Sequence, residues 1–350
     1  MKMLSLISTL FLLAACSSQA STDYPEWRWP DKEPAEAEPA AEPWPAITAL
    51  GWKNVTASYP GAAFASIYRS PSEINGNKTV AYIAVASIQQ AKWDVRSIDD
   101  PKIQGTSDQL KTPTEYFNET GAPVVINGGY FFAEGGKRYN ASVAVSGGRF
   151  YGVNINYASI DWVTMYYPTR GVFYEDAGSD PACGWTYWSG GATHYLYDEP
   201  AANSWSRDPL QAPDASFPAT ARDFSPMTAI GGGPVLLKDG KVVNSWEAEL
   251  FYGNGSDDKM PEERHPRTAI GITSNGLLIL FVCEGRGMTE GVQGMTFAEE
   301  AEVLKSLGCT DALNLDGGGS SCLLVGGQET IKPSDGSQRP VGSAVILKAR

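Results

Sequence analysis

Histidine, cysteine and positive charge are scarce in this sequence of 350 residues. It has two histidines, five cysteines and a formal net charge of −13. This acidity argues against a nucleic-acid partner, which would require a basic surface. Four cysteines lie beyond residue 16, at spacings unlike those of a zinc site: Cys183, Cys283, Cys309 and Cys322. Two alternatives stay open for them, because buried thiols are common and an exported protein could pair Cys309 with Cys322.

The apolar run at the start of the chain, residues 4–15, is too short to remain in a bilayer as a spanning helix. It follows Lys2 and ends in two alanines before Cys16. A basic start, a short apolar stretch and small residues before a cysteine are typical of a bacterial lipoprotein signal. We therefore predict that residues 1–15 are removed and that Cys16 is lipidated, which anchors an exported protein in the cell envelope. The alternative is an ordinary signal peptide with an incidental cysteine.

Residues 16–46 are dominated by proline, alanine and glutamate and have no periodic apolar face. Such a composition cannot bury a core and favours an extended tether. The tryptophans within it suggest that part of the tether docks on the domain. Residues 47–350 are then enough for one large domain.

This domain is predicted to be α+β, with mixed or antiparallel sheets, several hairpins and few helices. Hairpin turns are indicated at Asp239-Gly240 and Asn275-Gly276, each between apolar runs. Residues 295–309 predict a helix with a capping box, and a shorter helix is expected over residues 113–121. Residues 176–220 lack periodicity and are rich in aromatics, so we interpret them as an irregular insertion. Its aromatics, Trp185, Tyr187, Trp188 and Trp205, could stack on sugar rings or pack on the domain.

The segment ALNLDGGGSS, residues 312–321, breaks an apolar run with one acid, three glycines and two serines. Glycines allow positive φ and close approach, and successive N–H groups can form an anion-binding concavity. The alternative is a structural turn capped by Asp316. Similar glycine-rich clusters end other predicted strands, at residues 127–129, 231–234 and 284–286. Several such strand ends predict the walls of one cleft.

Arg267 stands directly before a predicted strand, in the segment RHPRTAIGI. An arginine in that position suits bidentate recognition of a phosphate or carboxylate. His265 lies two residues earlier and is open to either a structural or a ligand-binding role.

Together, the motifs INGGYFF, GGGPVLLKDG, HPRTAIGIT and NLDGGGSS resemble the phosphodiester glycosidase family, in that family's order, over residues 123–347. The resemblance implies hydrolysis of a sugar-1-phosphodiester, with release of the sugar, and a carbohydrate substrate. Together with the chemistry of these side chains, the resemblance indicates Asp316, Glu284 and Arg267 as the catalytic residues. The predicted substrate-binding set is Asn127, Gly128, Gly129, Gly232, Gly233, His265, Arg286, Gly317, Gly318, Gly319 and Ser320.

A phosphate is already a good leaving group, so the site must chiefly stabilise the departing charge. Arg267 and the amides of residues 317–320 are expected to do this, with Asp316 or Glu284 as nucleophile or base. We predict neither a metal nor a cofactor. Two rival functions remain: a non-catalytic phosphosugar-binding module, and a metal-dependent phosphodiesterase, although the alternation of His, Asp and Glu that a two-metal site needs is missing.

Overall fold

The computed structural model describes residues 42–350 except residues 105, 107, 192 and 252–260. Glu42–Arg350 form one compact unit. The predicted signal peptide, Cys16 and most of the predicted tether lie outside the described residues. The last tether residues belong to the unit: Trp44 packs on the core, and the Glu42 carboxylate accepts a hydrogen bond from Asn54 Nδ2 at 3.0 Å. In the described part of the chain, none of the helices is long and apolar enough to cross a membrane.

The described residues form four α-helices and many short strands. The helices are α1 (Pro45–Ala49), α2 (Pro101–Gln104), α3 (Pro113–Thr120) and α4 (Phe297–Ser306). The strands are β1 (Lys53–Asn54), β2 (Ala65–Arg69), β3 (Glu73–Ile74), β4 (Asn77–Lys78), β5 (Ala81–Ser87), β6 (Ala91–Ser97), β7 (Val124–Asn127), β8 (Phe131–Glu134), β9 (Lys137–Asn140), β10 (Ala144–Ser146), β11 (Arg149–Gly152), β12 (Arg170–Glu175), β13 (Ala182–Tyr187), β14 (Tyr195–Tyr197), β15 (Arg222–Asp223), β16 (Thr228–Gly231), β17 (Val235–Lys238), β18 (Lys241–Val242), β19 (Arg267–Thr273), β20 (Leu277–Cys283), β21 (Cys309–Asn314), β22 (Leu323–Val325), β23 (Gln328–Glu329) and β24 (Ser343–Ala349).

Most of these strands form three sheets. The largest has the order β1-β2-β5-β20-β19-β21-β17-β18, the second β11-β10-β16-β12-β13-β14-β15 and the third β23-β22-β7-β24-β6. Two further hairpins, β3–β4 and β8–β9, stand apart. The neighbouring strands run antiparallel, as in β19 with β20 and β19 with β21. The predicted α+β fold with antiparallel sheets and few helices is confirmed.

One hydrophobic cluster fills the space between the three sheets, with buried residues from each of them. A second cluster joins α4 to the outer face of the large sheet, through Phe297, Ala301 and Leu304. The predicted capping box of α4 is present: Thr296 accepts from the Glu299 N–H, and Glu299 accepts from the Thr296 N–H. The helix therefore starts where the sequence predicts.

Two expectations need correction. Residues 176–220 are not irregular throughout, because β13 and β14 lie in the seven-stranded sheet. Trp185 and Tyr187 are buried there, and since almost all of β13 is buried, no alternation marked it as a strand. These two aromatics are core residues and cannot stack on a ligand.

The disulfide alternative is also wrong, because Cys309 and Cys322 are buried free thiols, as are the other two cysteines of the unit.

Candidate functional site

The glycine-rich loop after β21 is held between two other strand ends. Since β19 and β21 are antiparallel neighbours, the start of β19 and the end of β21 meet at the same sheet edge. The Asp316 N–H donates to Gly128 O at 3.1 Å, and the Gly318 N–H donates to Pro266 O at 2.9 Å. These bonds bring the loop, the end of β7 and the start of β19 together.

A cavity of about 180 Å³ opens at this junction. It brings together six of the predicted site residues: His265, Arg267, Arg286, Asp316, Gly317 and Gly318. Tyr130 and Arg339 complete its lining. Three arginines thus face one carboxyl group in a small space, an arrangement suited to an anionic ligand.

Asp316 is surrounded by protein but keeps partial access to solvent through the cavity. Burial raises the pKa of its carboxyl to about 6, while the nearby Ser320 hydroxyl, the Arg339 charge and the Gly317 N–H act in the opposite direction. The buried Ser320 Oγ makes no hydrogen bond of standard geometry with any described residue. The carboxyl therefore titrates closer to neutral pH than an ordinary aspartate.

The loop is not the full amide nest that the sequence suggested, because two of its four N–H groups are used within the protein. The Gly318 and Ser320 N–H groups donate within the protein, to Pro266 O and Gly317 O. The glycines instead make room for neighbouring groups. A Cβ on Gly317 would lie 2.7 Å from Pro266 O, and one on Gly318, where φ is +61°, would lie 2.8 Å from Arg286 Nη2. Arginine side chains, rather than these amides, present positive charge to the cavity.

Each arginine is held by its surroundings. Arg267 is buried at the start of β19, and its Nε donates to Met295 O at 2.8 Å. Its guanidinium also lies over the Phe297 ring, 4.0 Å from the ring centroid, as a cation–π contact. Arg286 and Arg339 converge on Asp335, at 3.8 Å and 2.7 Å. The cavity is therefore largely formed before any ligand binds.

Tyr130, Arg339 and Asp335 are the site residues that sequence reasoning missed. Tyr130 stands inside the NGGYFF motif and donates from its hydroxyl to Gly233 O at 2.9 Å. Arg339 opens the closing segment RPVGSAVIL. Both motifs were visible, but nothing local in either indicates which side chain reaches the cavity.

Several predicted binding residues support the site without lining the cavity. Asn127 is buried, and its Nδ2 donates to Asp316 O at 2.6 Å, while its Oδ1 accepts from Thr268 and Cys322. The other members, apart from Ser320, are packing glycines. A Cβ would collide with Ser343 at Gly128, with Gly231 O at Gly129, with Asn314 O at Gly232, with the Phe251 ring at Gly233 and with the Arg339 guanidinium at Gly319.

Glu284 is the main departure from the predicted site. It is buried after β20 and lines a different cavity, of about 670 Å³, that does not include Asp316. The two predicted catalytic carboxyls are thus not brought together.

His265 does line the small cavity, and burial followed by the Arg267 charge lowers its pKa. Its imidazole is therefore expected to be neutral at pH 7, with no hydrogen-bond partner for Nδ1 among the described residues.

Among the residues that the structure describes, no group of three or more His, Cys, Asp or Glu side chains is placed to hold a metal ion.

The comparisons of this sequence with known proteins agree on one family. The family model described as phosphodiester glycosidase matches residues 120–348. N-acetylglucosamine-1-phosphodiester alpha-N-acetylglucosaminidase of mouse is 33% identical over 109 residues, 31% of this chain and 20% of that protein. An uncharacterized protein of Bacillus subtilis, derived from the SPbeta prophage, is 40% identical over 84 residues, 24% of this chain and 13% of that protein. The matches thus span a fifth or less of these relatives.

Solved structures share the fold. The zebrafish N-acetylglucosamine-1-phosphodiester alpha-N-acetylglucosaminidase catalytic domain, described as auto-inhibited by its pro-peptide, superimposes with a TM-score of 0.52 at 19% identity. That match covers 82% of this chain and 83% of the zebrafish chain. A hypothetical protein from Synechocystis also has a TM-score of 0.52, at 17% identity, with 82% of this chain and 62% of that chain covered. The family model spans well over half of the sequence, and the chain belongs to the phosphodiester glycosidase family.

Proposed function

We propose that the protein hydrolyses a sugar-1-phosphodiester at the glycosidic C1–O bond, releasing the sugar and leaving a phosphomonoester. The observation that carries this proposal is one carboxyl, Asp316, facing Arg267, Arg286 and Arg339 in a single small cavity. Positive charge for a departing phosphate and a carboxylate for the sugar carbon are the two requirements of this reaction. The names of the mouse and zebrafish relatives are consistent with such a substrate.

The residue roles follow from this placement. The arginines hold the phosphodiester and stabilise the negative charge that develops as the C1–O bond breaks. Asp316, ionised above about pH 6, acts at the sugar carbon as nucleophile or as base for a water molecule. Tyr130 and His265 complete the wall of the cavity beside these groups. We assign Glu284 no role at the breaking bond, because it lines the other cavity.

The proposal is tested by incubating the protein with a panel of sugar-1-phosphodiesters and measuring free sugar and phosphomonoester. Turnover in ¹⁸O-labelled water distinguishes the bond that breaks. Label in the sugar supports the glycosidase, whereas label in the phosphate indicates attack at phosphorus, as in the metal-dependent rival.

Asp316→Asn is the decisive variant. We expect turnover to fall by at least 100-fold, with binding of the substrate retained because the arginines remain. Near-normal activity would remove Asp316 from the mechanism. Binding by the wild-type protein without turnover of any diester would favour the phosphosugar-binding alternative.

We also propose that the protein is exported and held in the cell envelope through a lipid on Cys16. The support is the sequence pattern of residues 1–16. The mature wild-type protein should partition into a detergent phase, and Cys16→Ala should release it to the aqueous phase. A mature protein that stays in the aqueous phase with Cys16 intact would contradict the anchor.

A further inference from the structure

Glu300 of α4 is a buried carboxyl group that the proposed mechanism does not use. The residue is 0% exposed, and neither of its carboxyl oxygens has a hydrogen-bond partner among the described residues. Its backbone N–H donates to Thr296 O at 3.0 Å as part of the helix, so only the side chain is unsatisfied. An ionised carboxylate in such surroundings is strongly disfavoured, and the group retains its proton instead.

This carboxyl lies on the helix that holds Arg267 in place. Phe297 and Glu300 stand three positions apart on the buried face of α4. The Arg267 guanidinium covers the Phe297 ring at 4.0 Å from the ring centroid, and its Nε donates to Met295 O just before the helix. The same arginine lines the small cavity. Arg267 therefore connects the cavity to the helix that carries Glu300.

Glu300 is the member of this cluster that titrates at mildly alkaline pH. Burial raises its pKa to about 8, while the Arg267 charge acts in the opposite direction. Cys283 pairs with Arg267 across β19 and β20, and burial followed by the Glu300 charge raises the pKa of its thiol to about 12. An arginine keeps its charge throughout this range. Between pH 7 and pH 9.5 the charge of the cluster therefore changes at Glu300.

The other ionisable side chains on α4, on the strands packed against it and in the segment before β19 are paired, exposed or neutral. Three pairs are Glu299 with Arg264, Lys238 with Asp311 and Glu263 with His265. The exposed residues are Lys241, Glu262, Glu302 and Lys305. Burial raises the pKa of the Cys309 thiol above its ordinary value. The charge that acts on the Glu300 carboxyl is that of Arg267.

We propose that Glu300 is a positioning residue that acts through Arg267 and sets the charge which this arginine presents to the phosphate. The neutral carboxyl leaves the full arginine charge to the substrate. The ionised carboxylate compensates Arg267 and repels the phosphate, because both negative groups then share one guanidinium. This inference rests on the proposed function and adds to it a residue and an alkaline limit of activity.

The test measures the ratio of kcat/KM at pH 7 to kcat/KM at pH 9.5 for a sugar-1-phosphodiester, whose own charge is constant over this range. Because kcat/KM reports the ionisation of the free protein, it should fall as Glu300 loses its proton. The ratio should be about fivefold or more larger in the wild-type protein than in Glu300→Gln, which cannot ionise. Glu302→Gln, at an exposed glutamate of the same helix, is the matched control and should keep the wild-type ratio.

Glu300→Met is a second variant, since a buried glutamine amide could impair folding. Its side chain has a similar length and no polar group, and it should reduce the ratio as Glu300→Gln does. A purely structural role of Glu300 would change stability but would leave the ratio as it is in the wild-type protein. An equal ratio in the wild-type protein and both Glu300 variants would therefore overturn the proposal.

If the wild-type protein cleaves no diester, the proposed reaction fails, and the inference is decided by binding. The probe is dimethyl phosphate, a diester with one constant negative charge, titrated by ³¹P NMR. Its Kd should rise about fivefold or more between pH 7 and pH 9.5 in the wild-type protein and much less in Glu300→Gln. The same rise in both proteins, or no binding by the wild-type protein, would refute the inference.

Discussion

Asp316→Asn should stabilise the protein at neutral pH although it removes a carboxyl from the candidate site. Burial raises the pKa of Asp316 from 3.8 to about 6. Between these values the folded protein still binds a proton that the unfolded chain has released. The stability that this group contributes is therefore complete below pH 3.8 and is lost as the pH rises through about 6.

The size of the effect follows from the shift. Each pKa unit corresponds to about 1.4 kcal/mol, so the shift represents about 3 kcal/mol. Asp316 reaches water through the cavity, which screens part of this cost. We therefore expect a penalty of about 1–3 kcal/mol for the ionised carboxyl at pH 7. Asparagine has nearly the same shape and stays neutral, so the variant escapes the penalty.

The assay is urea unfolding of both proteins at half-unit steps from pH 4 to pH 8. The free energy of unfolding of Asp316→Asn, relative to wild type, should rise by about 1–3 kcal/mol between pH 4 and pH 7. The Glu290→Gln variant, at an exposed position, should follow the wild-type curve. Parallel curves for Asp316→Asn and wild type would refute a raised pKa at this carboxyl.

Three further predictions concern packing and caps. Glu249→Ala should lower the free energy of unfolding by about 3–5 kcal/mol in urea at pH 7, because the buried carboxylate accepts from four donors, among them Trp185 Nε1 at 3.0 Å. Gly319→Ala should lower activity more than stability, because the added Cβ meets the flexible ends of side chains. Gly232→Ala should lower the free energy of unfolding by about 2–3 kcal/mol, because its Cβ meets a backbone carbonyl. Equal stability losses in the two variants would contradict this contrast. Thr296→Ala should cost about 1 kcal/mol through loss of the α4 cap, and an unchanged thermal midpoint would count against the capping box.

Local signals explain the elements that were predicted correctly. The capping box of Thr296 and Glu299 and the hairpin turn at Asn275-Gly276 depend on residues close in sequence. Helix α3 likewise begins after Thr112 and ends at Gly121, which takes a left-handed conformation that glycine allows. Such features need no knowledge of the rest of the chain.

Strand β13 was missed for the opposite reason. Nearly all of its residues are buried because the sheet has neighbours on both faces, so the alternation that marks a half-exposed strand is absent. It pairs with β12 and β14, the strands directly before and after it in the chain. Only the assembled sheet identifies it as part of the core.

The site divides in the same way. The motif residues were sufficient to indicate that Arg267, Arg286 and Asp316 lie together, because each stands beside a glycine-rich or strand-end signal. They could not separate Glu284 from Asp316 or bring in Arg339. Those outcomes depend on which face a side chain takes after its strand ends, and on how the segment around Asp335 folds back over the loop. Local residue patterns determined which chemical groups the site contains. Strand register and long-range packing decided which side chains reach the cavity, because no short stretch of sequence contains that information.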